Sequence, residues 1–193
     1  MGATSNHYVI DKQYQTDYHY MDRWGLTAGI VGQYDVSSWL GVRAELSWVQ
    51  KNYRQTRYHQ SVINYRYTNN YLLLPVMASF GFGGQQWRGF CHIGAYGGYW
   101  LNSHRAGTDV NNYTGRSYLI NDDVAFNSER DQRLDAGLLG GIGLEYRLTR
   151  HWALQTEIRY YYSVVSSQKD YMRIADPRYH STLALTLGAA YLF

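Results

Sequence analysis

Residues 179–193 read Tyr-His-Ser-Thr-Leu-Ala-Leu-Thr-Leu-Gly-Ala-Ala-Tyr-Leu-Phe, and their alternation decides the fold. Tyr179, Leu183, Leu185, Leu187, Ala189, Tyr191 and Phe193 fall on one side of an extended chain. His180, Thr182, Ala184, Thr186, Gly188 and Ala190 fall on the other. Strand side chains alternate with period two, so one side is large and apolar and the other small or polar. Aromatic residues close the apolar side at both ends. A strand that meets lipid between two aromatic girdles has this pattern.

The same alternation recurs along the chain. Residues 24–34 place Trp24, Leu26, Ala28, Ile30 and Tyr34 on one side, opposite Gly25, Thr27, Gly29 and Gln33. Residues 40–58 begin with Leu40, Val42, Ala44, Leu46 and Trp48 against Gly41, Arg43, Glu45 and Ser47. Residues 65–82, 133–146 and 152–163 repeat it. Residues 87–101 are ambiguous, because Phe90 and Ile93 take opposite sides.

Composition agrees with a single domain, residues 1–193, rich in strands. Among the 193 residues are 21 Tyr, 6 Trp and 19 Gly but only 2 Pro. Tyr and Trp favour strands and membrane interfaces. A net charge of +3 gives no argument for a nucleic-acid partner. The lone Cys91 excludes an internal disulfide. No run of about 18 apolar residues exists, so no transmembrane helix is expected. No export signal is visible, and an outer-membrane protein needs one, which implies a leader removed from this chain.

Connection lengths alternate. Segments 35–39, 83–86 and 147–151 are short, whereas 59–64, 102–132 and 164–178 are longer. Short turns at one end and long loops at the other is the arrangement of outer-membrane barrels, with the short turns periplasmic. Parity then requires one further strand before residue 24. Residues 1–8 supply it, as a short strand clipped at its start, and residues 9–23 form the first outer loop. The expectation is an all-β, eight-stranded antiparallel up-and-down transmembrane β-barrel in the bacterial outer membrane. A soluble eight-stranded barrel is the rival. Its interior is just wide enough for its own side chains or one small ligand. Roughly five large apolar residues per strand would overfill such an interior. The Gly, Ala, Thr and Ser of the opposite side suit a narrow lumen instead.

Several runs carry a family resemblance. Tyr71-Leu72-Leu73-Leu74-Pro75-Val76 resembles a Tyr-Leu-x-Ile-Pro-Leu motif. Residues 90–100, Phe-Cys-His-Ile-Gly-Ala-Tyr-Gly-Gly-Tyr-Trp, resemble an aromatic–Gly–Pro-Tyr–x-Gly–Tyr strand. With Asp135-Ala136-Gly137 and the C-terminal strand, these resemble the PorT-like outer-membrane β-barrel family, similar in architecture to small barrels of the OmpA and OmpX kind. Leu73 stands where that motif is often acidic, and Ala95 where Pro is common. The resemblance implies that Tyr191 and Phe193 are the membrane-insertion signal read by the barrel-insertion machinery. It implies outer-membrane lipid as the surroundings and no cofactor.

Three sets of residues are candidates for function. Arg43, Glu45, Asp135, Glu145, Glu157 and Arg159 alternate with the lipid-side residues, so they are expected to share one enclosed space. Two Arg against four carboxylates leave a deficit of cations, which Arg88 or Arg133 would fill. The expected result is a salt-bridged plug; a gate or ion path is the alternative. Second, a spanning strand needs only about 9–11 residues, so the hairpin over 51–70 should project beyond the bilayer. It carries Tyr53, Arg54, Arg57, Tyr58, Tyr65, Arg66 and Tyr67, with Lys51 at its base. Such residues suit an interfacial girdle, or a docking surface for an envelope protein or glycan. Third, His59-Gln60-Ser61 echoes the His-x-Ser pair of a lipid-modifying outer-membrane enzyme, without a nearby acid to complete it. No metal-ligand spacing is present among the histidines. The 102–132 segment, rich in Asp and Asn, lacks Ca²⁺-loop spacing and is expected to be a plain loop. The reading that follows is a non-enzymatic barrel with catalytic residues none.

Overall fold

The computed structural model describes residues 1–10, 18–57, 63–111, 113–169 and 177–193. These residues form ten strands: β1 Gly2–Ile10, β2 Tyr18–Asp35, β3 Leu40–Gln50, β4 Tyr53–Arg57, β5 Asn64–Gly83, β6 Trp87–Val110, β7 Ser117–Asp123, β8 Leu134–Arg147, β9 Trp152–Ser163 and β10 Arg178–Tyr191. Every pairing is antiparallel. β1 pairs with both β2 and β10, which closes the sheet into a barrel down to the level of Met1; below it, residues 29–35 of β2 and 188–191 of β10 have no strand between them among the described residues.

The barrel has eight staves. β3 and β4 are two halves of one stave, interrupted at Lys51 and Asn52. Among the described residues β7 pairs only with β6, and it stands outside the barrel. β1 reaches Ile10 and β2 starts at Tyr18, so the first loop is shorter than the pattern of apolar residues suggested. The 102–132 segment is corrected most: β6 runs on to Val110 and turns at Gly115 into β7. Gly115 has φ of 66°, the left-handed conformation that a non-glycine residue rarely adopts.

The outward face is an apolar band. Leu26, Ile30, Leu74, Ile93, Leu138, Ile142, Ile158, Leu185 and Leu187 are all exposed. Trp24, Tyr99 and Tyr162 border it towards the long loops, and Trp39, Trp87, Trp152 and Tyr191 towards the short turns. The ambiguity over 87–101 resolves with Phe90, His92 and Tyr96 inward and Ile93 outward. Above them a β-bulge changes the phase: Tyr71 faces Trp100 and Asn70 faces Asn102, which leaves Leu101 unmatched. The C-terminal end lies at the short turns, where Leu192 N donates to His151 O, whereas Met1 lies part-way up the wall, its amino group donating to Leu187 O.

Candidate functional site: a layered lumen beneath a projecting sheet

The interior is filled in layers, in register order from the short-turn end. The lowest is ionic, with Arg159 at its hub. Arg159 Nη1 and Nη2 donate to Glu45 Oε2 and Oε1 at 2.6 and 2.8 Å. Its Nε and Nη2 donate to Glu157 Oε1 and Oε2, both at 2.7 Å. Paired, fork-like contacts of this kind are the strongest ionic hydrogen bonds. Arg43 donates to Glu45 at 2.8 Å and to Gln155 at 3.1 Å. Gln155 passes the chain to Glu145 at 2.8 Å, and Arg147 Nε adds a contact at 3.3 Å.

His92 completes this layer. Its Nδ1 lies 3.1 Å from Glu157 Oε1 and its Nε2 3.1 Å from Ser79 Oγ. The connectivity is that of a nucleophile, base and acid. Ser79 is only 4% exposed, however, and Phe90 stacks on His92 at 4.6 Å, so the hydroxyl has no path to a substrate. The three side chains instead tie β5, β6 and β9 across the lumen.

An apolar layer lies above. Leu73, Met77, Tyr96, Leu139, Tyr161 and Ala184 pack together across the barrel. Leu73 is fully buried here. Above it, Lys51 Nζ meets Asp135 Oδ2 at 2.5 Å and lies 5.1 and 5.0 Å from the ring centres of Tyr71 and Tyr96. Ser163 Oγ donates to the other Asp135 oxygen. His180 stands beside Asn6 and Tyr71.

The six charged residues named from the sequence therefore do not share one network. Arg43, Glu45, Glu145, Glu157 and Arg159 lie together; Asp135 lies apart, above the apolar layer. The missing cations are Lys51, Arg147 and, when protonated, His92. Arg88 contacts Asp35 and Ser38 O, and Arg133 donates to Trp100 O and Leu101 O. Lys51 does not join the interfacial girdle at all, being fully buried. Its parity held the signal, since Arg43, Glu45, Ser47, Val49 and Lys51 continue one inward row. Gly188, on the small-residue side of β10, has open space around it: a Cβ there meets nothing within 4 Å. Gly143 is among the crowded glycines, with Phe90 Cζ and Thr156 O at 2.3 Å from such a Cβ.

Beyond the apolar band, β2, β4, β5, β6 and β7 continue as one sheet. Tyr53 stacks on Tyr67 at 4.8 Å and on Tyr8 at 4.4 Å, towards the barrel mouth. Tyr65 and Arg105 stand above, with the guanidinium 5.6 Å from the ring centre. Arg54 and Arg66 sit directly opposite one another in the β4–β5 register, and Arg54 donates to Asn64 at 2.8 Å. Arg57 lies over Tyr18 at 5.8 Å. Tyr58 and the His59-Gln60-Ser61 run lie outside the described residues. On the β6–β7 hairpin, Arg105 holds Asp122 at 2.9 and 3.1 Å and keeps its carboxyl below the usual range. Hydrogen bonds to Asp123 and Asn121 raise His104 above the ordinary imidazole value. At the opposite end Tyr191 packs edge-on against Trp152 and Phe193.

A family model described as an outer membrane protein beta-barrel domain matches residues 1–168. Among solved structures, OprG from Pseudomonas aeruginosa is 12% identical with a TM-score of 0.55, covering 100% of this chain and 92% of that one. Neisserial surface protein A is 12% identical with a TM-score of 0.47 and coverage of 99% and 95%. Ail of Yersinia pestis is 15% identical with a TM-score of 0.43 and coverage of 100% and 94%. At such identities the likeness is one of fold. No curated protein matches the sequence.

Proposed function

The chain belongs to the outer membrane protein beta-barrel domain family, and from that premise we propose that it is a non-enzymatic, closed barrel which docks an extracellular protein through its projecting sheet. Its place is the bacterial outer membrane, among outer-membrane lipids. One observation carries the reading. The sheet that continues past the lipid band ends in β7, whose far edge has no strand beside it among the described residues. An unpaired edge offers a row of backbone donors and acceptors, and strand addition is a standard mode of partner recognition. Tyr118 and Leu119 are exposed beside that edge and supply side-chain contacts. Arg54, Arg57, Arg66, Tyr53, Tyr65 and Tyr67 brace the same sheet, and a partner seated there makes the barrel a subunit of a larger surface assembly. The Tyr71–Val76 and Phe90–Trp100 runs support a place in the PorT-like branch of the family.

The filled lumen argues against a channel, since a dry layer of Leu73, Met77 and Leu139 lies across any ion path. The test replaces the 107–121 hairpin with a two-residue turn and measures partner capture on intact cells by cross-linking. Loss of one specific cross-linked protein, with the barrel still folded, supports docking at the β7 edge. An unchanged cross-linking pattern overturns it.

A further inference from the structure

The projecting sheet has an outer side, which continues the lipid-facing surface upward. Between β2 and its neighbour the register changes by one residue. Thr27 faces Val49 whereas Asp22 faces Tyr53, so residues 23–26 stand opposite residues 50–52. Such a bulge lets two successive residues share a side, and Arg23 joins the exposed Trp24 on the outer one. There Arg23 Nη1 donates to Thr68 Oγ1 at 3.0 Å and to Tyr67 O at 3.4 Å. One step further up, Met21, Arg54, Arg66 and Ala106 follow one another across the register of β2, β4, β5 and β6. Arg66 and Thr68 have the parity of Leu72 and Leu74, which are exposed in the apolar band, so this row faces outward too. Three arginines from three strands therefore form one outer patch directly above Trp24.

Two observations describe what the patch meets. The first is charge. Among the described residues no carboxylate pairs with Arg23, Arg54 or Arg66. Arg54 uses only its Nε, on the neutral Asn64 Oδ1 at 2.8 Å, and Arg23 uses only Nη1, on neutral oxygens. Asp123, the carboxylate that shares these rows, is held by His104 at 2.8 Å. Like charges directly opposite on two strands repel, so the Arg54–Arg66 pairing calls for an anion between them. A phosphate joins guanidinium groups through paired, charge-assisted hydrogen bonds. The second observation is height. Trp24 and Tyr99 mark the upper border of the apolar band, and such rings sit at the headgroup level. Arg23 stands one residue beyond Trp24 and the Met21 row three, roughly 3–8 Å of height on a tilted strand. The headgroup layer is about 5–8 Å deep on each side of a bilayer. The three guanidinium groups thus lie at the depth of lipid phosphates, on the side that faces lipid.

We propose that Arg23, Arg54 and Arg66 form a phosphate site for one phosphorylated glycolipid of the outer leaflet, which seats the projecting sheet against the membrane surface. The site rests on the outer-membrane placement of the barrel and not on the β7 docking edge. The barrel, refolded in neutral detergent free of lipopolysaccharide, is mixed with bisphosphorylated lipid A or with the same lipid dephosphorylated. Bound lipid is counted by native mass spectrometry, with inorganic phosphate as competitor. Retention of one phosphorylated lipid, well ahead of the dephosphorylated one, is expected, and an equal concentration of inorganic phosphate should displace little of it. Arg54→Gln and Arg66→Gln should each weaken retention about 3- to 10-fold, the scale of one lost hydrogen bond. Arg116→Gln, at the tip of the β6–β7 hairpin, should leave it unchanged. Without lipid, Arg66→Gln should hold or raise the unfolding midpoint, because it removes a repulsion; a merely structural arginine would lower midpoint and binding together. Equal retention of the dephosphorylated lipid, no retention of the phosphorylated one, or displacement by inorganic phosphate at equal concentration would each overturn the proposal. So would Arg54 and Arg66 variants that bind like the parent, an equal loss in Arg116→Gln, or a lowered midpoint in Arg66→Gln.

Discussion

Lys51 Nζ and Asp135 Oδ2 lie 2.5 Å apart though 84 positions separate them in sequence, and both side chains are buried. Removing one member leaves a charge in a site shut off from water. Lys51→Met should therefore destabilise the barrel by about 3–5 kcal/mol. The double variant Lys51→Met with Asp135→Leu should regain most of that loss, since two apolar groups need no partner. Urea unfolding in lipid, followed by tryptophan fluorescence, measures both.

The barrel was legible in the sequence because its two faces differ in chemistry at every second residue. Lipid requires Leu and Ile along 183–187 and 138–144, and a narrow lumen requires small or polar residues opposite them, such as Ala184, Thr186, Gly141 and Gly143. Pairing between distant inward residues was not legible. Arg43 and Arg159 can be placed indoors by parity, but which carboxylate each meets depends on the shear of the closed sheet. The extension of β6 past Leu101 was hidden for a different reason. Outside lipid both faces of a hairpin meet water, so 102–123 has no apolar alternation to read, and the bulge at Leu101 shifts its phase.

Arg159 holds two carboxylates at once, so its loss should be felt throughout the lower layer. Arg159→Ala should cost about 3–5 kcal/mol if the site is dry. The parent protein should show no steady current in a planar bilayer. A steady parent current, with Arg159→Ala changing ion selectivity at unchanged stability, would install the channel reading in place of the closed barrel.

The lipid face makes a positional prediction. Leu187 is exposed in the apolar band, and Leu187→Arg should cost about 2–4 kcal/mol of folding into lipid if near mid-bilayer. Gly143→Val should destabilise by crowding Phe90, while Gly188→Ala should be tolerated because nothing stands within 4 Å of its Cβ. Equal stability of Leu187→Arg and parent would reverse the assignment of faces.

Sidedness can be read with one protease. Arg116 is exposed at the tip of the β6–β7 hairpin, and Arg150 is exposed in a short turn at the other end. Trypsin added to intact cells should cut after Arg116 and spare Arg150 until the outer membrane is opened. Cleavage at Arg150 in sealed cells would invert the topology.

The hairpin that carries the proposed docking edge should also respond to pH. His104 Nδ1 lies 2.8 Å from Asp123 Oδ1, and its Nε2 lies 2.8 Å from Asn121 Oδ1. Two oxygen acceptors facing two ring nitrogens favour the imidazolium, which is why the pKa is raised above 6.5. A raised histidine stabilises the fold fully below its unfolded value, and that contribution is lost as pH rises through the folded one. Asp122, lowered by its bonds from Arg105, has the opposite sign: its contribution is present above the unfolded value and lost as pH falls through the depressed one. Protection of the β6–β7 hairpin should therefore be greatest between about pH 4 and pH 6.5 and decline on the alkaline side first. Amide hydrogen exchange of Ser117–Asp123, measured at pH 6 and pH 8 and corrected for intrinsic rates, reports it. In His104→Asn the alkaline decline should vanish, and a decline that persisted would remove His104 as its cause.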